Sequence, residues 1–143
     1  MARLRMRQGS VTVGRMRIQR ILVALGALAF GAFGLFSLAA PATLLELIHA
    51  EPLDGNAYND IRAMYGGAEL AIAILLVQSL RRPQWLRAGL ILQTVVFACM
   101  ASARILSIAL DGVPEPALVG AGAAELVAAV AGVLALRERE AQG

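Results

Sequence analysis

The stretch from Ile21 to Leu45 holds 25 residues without one charged side chain, and three further runs, at 61–80, 86–110 and 117–136, are nearly as apolar. A run of about 20 such residues is long enough for a helix to cross the roughly 30 Å hydrocarbon core of a bilayer. Within lipid the backbone has no water to bond, so only helices or closed barrels satisfy its polar groups. Barrel strands would alternate apolar and polar side chains over about ten residues, and these runs do not alternate. The expected fold class is all-α, a four-helix transmembrane bundle.

Composition excludes the soluble alternative. With 59% hydrophobic and 16% charged residues in 143, and mean hydropathy +0.70, the chain has too few charges to coat a water-soluble globule. All 13 basic residues are Arg, and the absence of Lys excludes Schiff-base chemistry. The basic balance does not indicate nucleic acid as a partner, because the Arg residues cluster at the ends of the apolar runs, where orientation signals lie. The single Cys99 lies inside an apolar run, allows no internal disulfide and is expected to be a small packing residue.

Charge orders the spans. Arg3, Arg5, Arg7, Arg15, Arg17 and Arg20 precede the first, Arg81, Arg82 and Arg87 lie between the second and third, and Arg137 and Arg139 follow the fourth. The other two connections carry Glu46, Glu51, Asp54, Asp60, Asp111 and Glu115, with only Arg62 at their margin. Positive segments stay on the cytoplasmic side, so both termini are expected inside. Basic residues, an apolar run and Ala40-Pro41-Ala42 imitate a secretory signal, but a cleavable apolar region is usually about 7–15 residues and this one is longer. Residues 1–15 lack a helical apolar period and are expected to form a disordered extension, with Met16 an alternative start. Residues 16–143 form the membrane domain.

The chain carries two echoes of itself. Leu53-Asp54-Gly55 recurs as Leu110-Asp111-Gly112 and Gly67-Ala68-Glu69-Leu70 as Ala123-Ala124-Glu125-Leu126, at offsets of 57 and 56 residues. Near-equal offsets fit a repeated helical hairpin, or chance in Ala- and Gly-rich helices.

Three ionisable residues interrupt three different spans: Glu69, Arg104 and Glu125. A charge near the bilayer centre costs roughly 2.5–3.5 kcal/mol on insertion scales, so such residues face the bundle interior and pair or serve a site. Counted from the acidic ends of their spans, all three lie roughly 9–12 Å deep at 1.5 Å per residue. Tyr58, Arg62, Tyr65 and Glu69 are spaced four, three and four apart, which stacks them on one helix face. Ser107 and Asp111 extend the Arg104 face, and with Tyr58 and Asn59 they form an expected outer rim. Gly122, Ala128, Ala129 and Gly132 flank Glu125 and permit close helix approach. Two readings follow. In one, Arg104 bridges Glu69 and Glu125 and locks the bundle. In the other, Arg62, Tyr65, Glu69, Arg104 and Glu125 line an outward-opening pocket for a ligand or proton, with Arg62 and Arg104 recognising an anionic headgroup.

Other constellations are weaker. Glu46 and His49 have Glu-x-x-His spacing, but His49 is the only His and a carboxylate-bridged metal site needs a second ligand set. Trp85 after Pro83 reads as an interfacial anchor, and Gly26, Gly31 and Gly34 as helix-contact positions, since no strand precedes them and no phosphate-loop Lys follows. No catalytic residue, cofactor or metal is assigned.

Asn59-Asp60-Ile61-Arg62-Ala63-Met64-Tyr65-Gly66-Gly67 with Glu69, then Arg104, Ser107 and Asp111-Gly112-Val113-Pro114, then Glu125, resembles a family of small bacterial four-span membrane proteins of unknown function, over roughly Met16 to Leu136. More distantly, the Gly-Gly-x-Glu pattern is similar to DoxX-like membrane proteins, some of them associated with quinone or redox systems. The first resemblance implies the fold and the choice of residues but no activity. Three functions are carried forward. The first is a binding or accessory module for a lipid-like or other amphipathic ligand, for a partner's transmembrane helix, or for a second copy of the chain. The others are a proton-coupled small carrier and a quinone-linked redox accessory subunit.

Overall fold

Pro41 divides what the hydropathy pattern runs together. The computed structural model describes residues 2–47 and 55–137. Helix α1 (Ala2–Ala39) ends before Ala40, and a short α2 (Pro41–Leu47) follows. Proline has no N–H to continue the ladder and disfavours the α conformation in the residue before it. The expected 21–45 span is therefore a crossing helix that stops at Ala39 plus a separate turn, tied by Ala40 N–H to Phe36 O at 2.8 Å. At its other end α1 begins at Ala2, through the segment that the sequence marks as a disordered extension. Residues 2–8 are mostly good helix formers, and across the weaker run Gly9 to Gly14 the helix gains from lengthening one that already exists, which adds one hydrogen bond per residue without a new nucleus.

The second crossing, Gly55–Arg81, is built from α3 (Gly55–Ile61), a π-helical segment Arg62–Gly67 and α4 (Ala68–Arg81). Ala68 N–H reaches back five residues to Ala63 O. The widened turn coincides with the closest approach of two backbones. A Cβ added to Gly34 would lie 3.0 Å from both Gly66 O and Leu70 N, so α1 packs main chain to main chain here. Close packing through small residues is how helices associate where lipid offers no hydrophobic drive.

A 3₁₀ turn, Pro83–Trp85, leads into α5 (Leu86–Asp111). That helix ends on Gly112 at φ 91°, the left-handed backbone that glycine adopts without strain, with Gly112 N–H bonded to Ile108 O. Helix α6 (Pro116–Arg137) starts on a proline whose missing N–H is no loss at a helix start. Helix α1 runs beside α4, and α5 beside α6, while α1 also meets α5 and α6 and α4 meets α5. Side-chain bonds from Arg20 to Leu80 O and from Gln19 to Ala135 O place the middle of α1, where its crossing part begins, against the ends of α4 and α6. One end of the bundle thus gathers Arg17, Arg20, Arg81, Arg82, Arg87 and Arg137, and the opposite end gathers Glu46, Asp60, Asp111 and Glu115.

The interior is built by Val23, Ala27, Phe30, Ala73, Leu76, Leu86, Leu90 and Ala135. Large apolar side chains such as Leu28, Leu110 and Val127 point outward, each about 70% exposed. Water would not tolerate so continuous an apolar coat, whereas acyl chains would. Cys99 belongs to that outer surface and not to the interior, because the phase of α5 turns Gln93, Thr94 and Ala101 inward instead. Among the described residues there is no strand. The chain is an all-α bundle with four helices long and apolar enough to cross a membrane, the build of an integral membrane protein.

Candidate functional site

Arg104 and Glu125 face each other across the α5–α6 contact. Arg104 Nε donates to Glu125 Oε2 at 2.7 Å and Nη2 donates to Oε1 at 2.9 Å, the two parallel bonds of a guanidinium–carboxylate fork. Glu125 is buried, whereas the Arg104 side chain keeps 33% of its surface. Gly122 makes room for the pair, since a Cβ there would sit 3.0 Å from Arg104 Cδ. Of the other small residues expected beside Glu125, Ala129 and Gly132 are buried against the bundle as well.

Glu69 reaches the same place from α4. A cavity of about 190 Å³ is lined by Glu69, Arg104 and Glu125 together with Phe30, Phe33, Phe97, Met100, Ala29 and Ala121, so α1, α4, α5 and α6 all contribute. Its apolar wall includes the stacked rings of Phe30 and Phe97, 4.9 Å between centroids. Glu69 is half-buried and makes no hydrogen bond or ion pair with any described residue. The sequence-level expectation that Arg104 bridges both carboxylates is corrected in this respect. The fork geometry commits two donors on one edge of the guanidinium to the two oxygens of Glu125, and α4 does not pack along α6. Glu69 shares the cavity but not the bond.

The expected stripe on the second crossing does not survive the π segment. A regular helix would keep Tyr58, Arg62, Tyr65 and Glu69 on one face, but the extra residue in the widened turn rotates everything before it relative to α4. Arg62 turns to the end of α1 and donates from Nε to Leu38 O at 3.2 Å, outside the cavity. Tyr65 is 52% exposed and stands edge-on to Phe33, with ring centroids 6.4 Å apart. Tyr58 is half-buried and Asn59 exposed, and neither lines the cavity. Ser107 Oγ donates to Asp111 Oδ2 at 3.2 Å, on the surface. Ser107 lines a separate apolar groove of about 300 Å³ between α5 and α6, in which Arg104 is the other polar side chain. Glu46 is exposed, and its expected partner His49 lies outside the described residues.

The aromatic wall was missed from the sequence. The chain has four Phe, and Phe30, Phe33 and Phe97 all line the cavity, so the rarity of aromatics and the three-residue spacing of the first two carried a usable signal. Also missed was a set of neutral polar residues buried toward the Arg-rich end. Gln19 Nε2 donates to Ala135 O at 3.0 Å and Gln93 Nε2 to Leu22 O at 3.1 Å, each from one helix to the main chain of another.

No curated protein and no solved structure matches this chain. Residues 18–136, which contain the four crossing helices from Ile18 to Leu136 and every residue of the cavity, match a family described as a domain of unknown function. The chain belongs to that family, DUF4345.

Proposed function

We propose that this protein is a small membrane binding or accessory module, and that the cavity at Glu69, Arg104 and Glu125 receives an amphipathic ligand or the side chains of a partner's transmembrane helix. The observation that carries the reading is Glu69. A carboxylate with no partner, held beside a filled ion pair and an aromatic wall, is an acceptor left open in an apolar layer. A pure lock needs Arg104 and Glu125 but has no use for a third charge beside a cavity.

The geometry also favours one polarity of occupant. Arg104 is engaged by Glu125 and Arg62 lies outside the cavity, so an anionic headgroup has less to meet here than the sequence suggested. A ligand whose polar end carries an O–H, an N–H or a positive charge complements Glu69, and its apolar body fits against Phe30, Phe33, Phe97 and Met100. A quinol has that chemistry, which keeps the quinone-linked accessory role as an instance of the same site. A proton-coupled carrier would use Glu69 as its proton acceptor and need no retained organic ligand.

Native mass spectrometry of the protein in mild detergent distinguishes these. Wild type is expected to retain an amphipathic mass that Glu69→Gln loses while its melting temperature stays unchanged. Equal retention by both proteins would overturn the assignment. The Arg distribution supports a reading with both termini in the cytoplasm and the cavity nearer the exterior face of an inner membrane. Reporter fusions after Gln84 and Gln142 should then read as cytoplasmic, and fusions near Gly55 and Pro114 as exterior.

A further inference from the structure

We propose that the turn between α4 and α5 is a docking site for an anionic phospholipid, with the headgroup on Arg82 and one acyl chain in the groove beneath Trp85. The turn is fixed by its backbone. Arg82 is extended (φ −120°, ψ 101°), as a residue before proline is driven to be, and its carbonyl accepts from Trp85 N–H at 2.8 Å. That closure sets the Arg82 guanidinium carbon 4.7 Å from the centre of the Trp85 ring. A cation–π contact uses the face of the guanidinium and leaves its N–H edge free, the edge that matches phosphate oxygens.

Charge selects an anion for that edge. No described carboxylate pairs with Arg82, and Arg17, Arg20, Arg81, Arg87 and Arg137 share this end of the bundle, while the described acidic residues lie in the opposite half. The groove selects a lipid over a soluble anion. About 190 Å³ of space lined by Leu75, Ser79, Trp85, Ala88, Gly89 and Leu92 opens on the outer surface of α4 and α5. It runs seven residues from Arg82 back to Leu75, roughly 10 Å into the apolar layer. Its one hydroxyl is turned away, since Ser79 Oγ donates to Leu76 O at 2.7 Å. Gly89 brings the helices together at its floor, where an added Cβ would collide with Ser79 Oγ. A phosphate-sized fork at the rim and a dry slot below it describe a headgroup with its chain attached.

Trp85 is the only tryptophan, so its emission reports this site alone. Protein in zwitterionic micelles is titrated with phosphatidylglycerol or phosphatidylcholine carrying brominated acyl chains, which quench a tryptophan they touch. Phosphatidylglycerol is expected to reach half-quenching at about one fifth of the mole fraction, the factor corresponding to the roughly 1 kcal/mol that one Arg contributes near an anionic lipid. Arg82→Gln should erase that preference, whereas Arg137→Gln, the same charge change away from the groove, should leave it. Equal loss in both variants would reduce the effect to diffuse attraction and overturn the site. Equal quenching by the two lipids in wild type would overturn it as well, and so would displacement of phosphatidylglycerol by an equal concentration of inorganic phosphate.

Discussion

The two halves of the bundle solve the same packing problem with different chemistry. Toward the Arg-rich end, helices are tied by neutral side chains that donate to main-chain carbonyls: Gln19 to Ala135 O and Gln93 to Leu22 O, with Ser79 and Thr94 bonded within their own helices. Glycines fit around them, Gly26 against Gln93 Oε1 and Gly132 against Thr94 Oγ1. Toward the acidic end the tie is an ion pair, and a second carboxylate stands beside it unpaired at a cavity. Buried amides that reach backbone carbonyls lower the cost of their own burial and hold the helices. The ion pair does the same at greater risk, because either partner alone would be a charge in hydrocarbon. Glu69 does neither, which is why the proposed function rests on that half.

The largest test of the contrast is Arg104→Ala. It strands buried Glu125 and should lower stability in detergent by about 3 kcal/mol, the low end for a buried pair because Arg104 is partly exposed. Arg104→Ala with Glu125→Ala should cost less than the two single changes combined, measured by denaturant or thermal unfolding. Additive losses would show the fork to be broken in the membrane protein. Next comes Gly132→Ala in the neutral half, where the new methyl would collide with Thr94 and the expected loss is about 1–3 kcal/mol. A wild-type melting temperature for that variant would mean that α5 and α6 pack more loosely than described. Gln93→Met, which keeps the bulk and removes the donor to Leu22 O, should cost only about 0.6 kcal/mol, the average for hydrogen bonds between membrane helices. A loss as large as that of Arg104→Ala would erase the distinction between the halves. The smallest effect on stability belongs to Glu69→Gln, expected within about 0.5 kcal/mol of wild type because no bond is lost. A marked destabilisation there would turn Glu69 into part of the lock and remove the open acceptor.

The number of crossings and the charge of the two bundle ends were legible in the chain, because lipid imposes a minimum length and a composition on each segment that no tertiary contact has to supply, whereas the end of the first crossing at Ala39 was not. The meeting of Glu69, Arg104 and Glu125 was legible too, since three charges at one depth have few other places to go. Pairing was not legible. Which carboxylate the guanidinium takes depends on α5 lying along α6 while α4 stays apart from it, a matter of helix neighbours that residue counting does not contain. The face of Arg62 and Tyr65 was lost for a related reason. Periodicity assumes a constant 3.6 residues per turn, and the π segment at Arg62–Gly67 changes the count where α1 presses its backbone at Gly34 against Gly66 and Leu70. The aromatic wall also needed the fold, since Phe30 and Phe33 on α1 meet Phe97 on α5 only when the helices are assembled. Solvent chooses the elements of a membrane protein from the sequence alone. Close packing of backbones decides which of their side chains share a cavity.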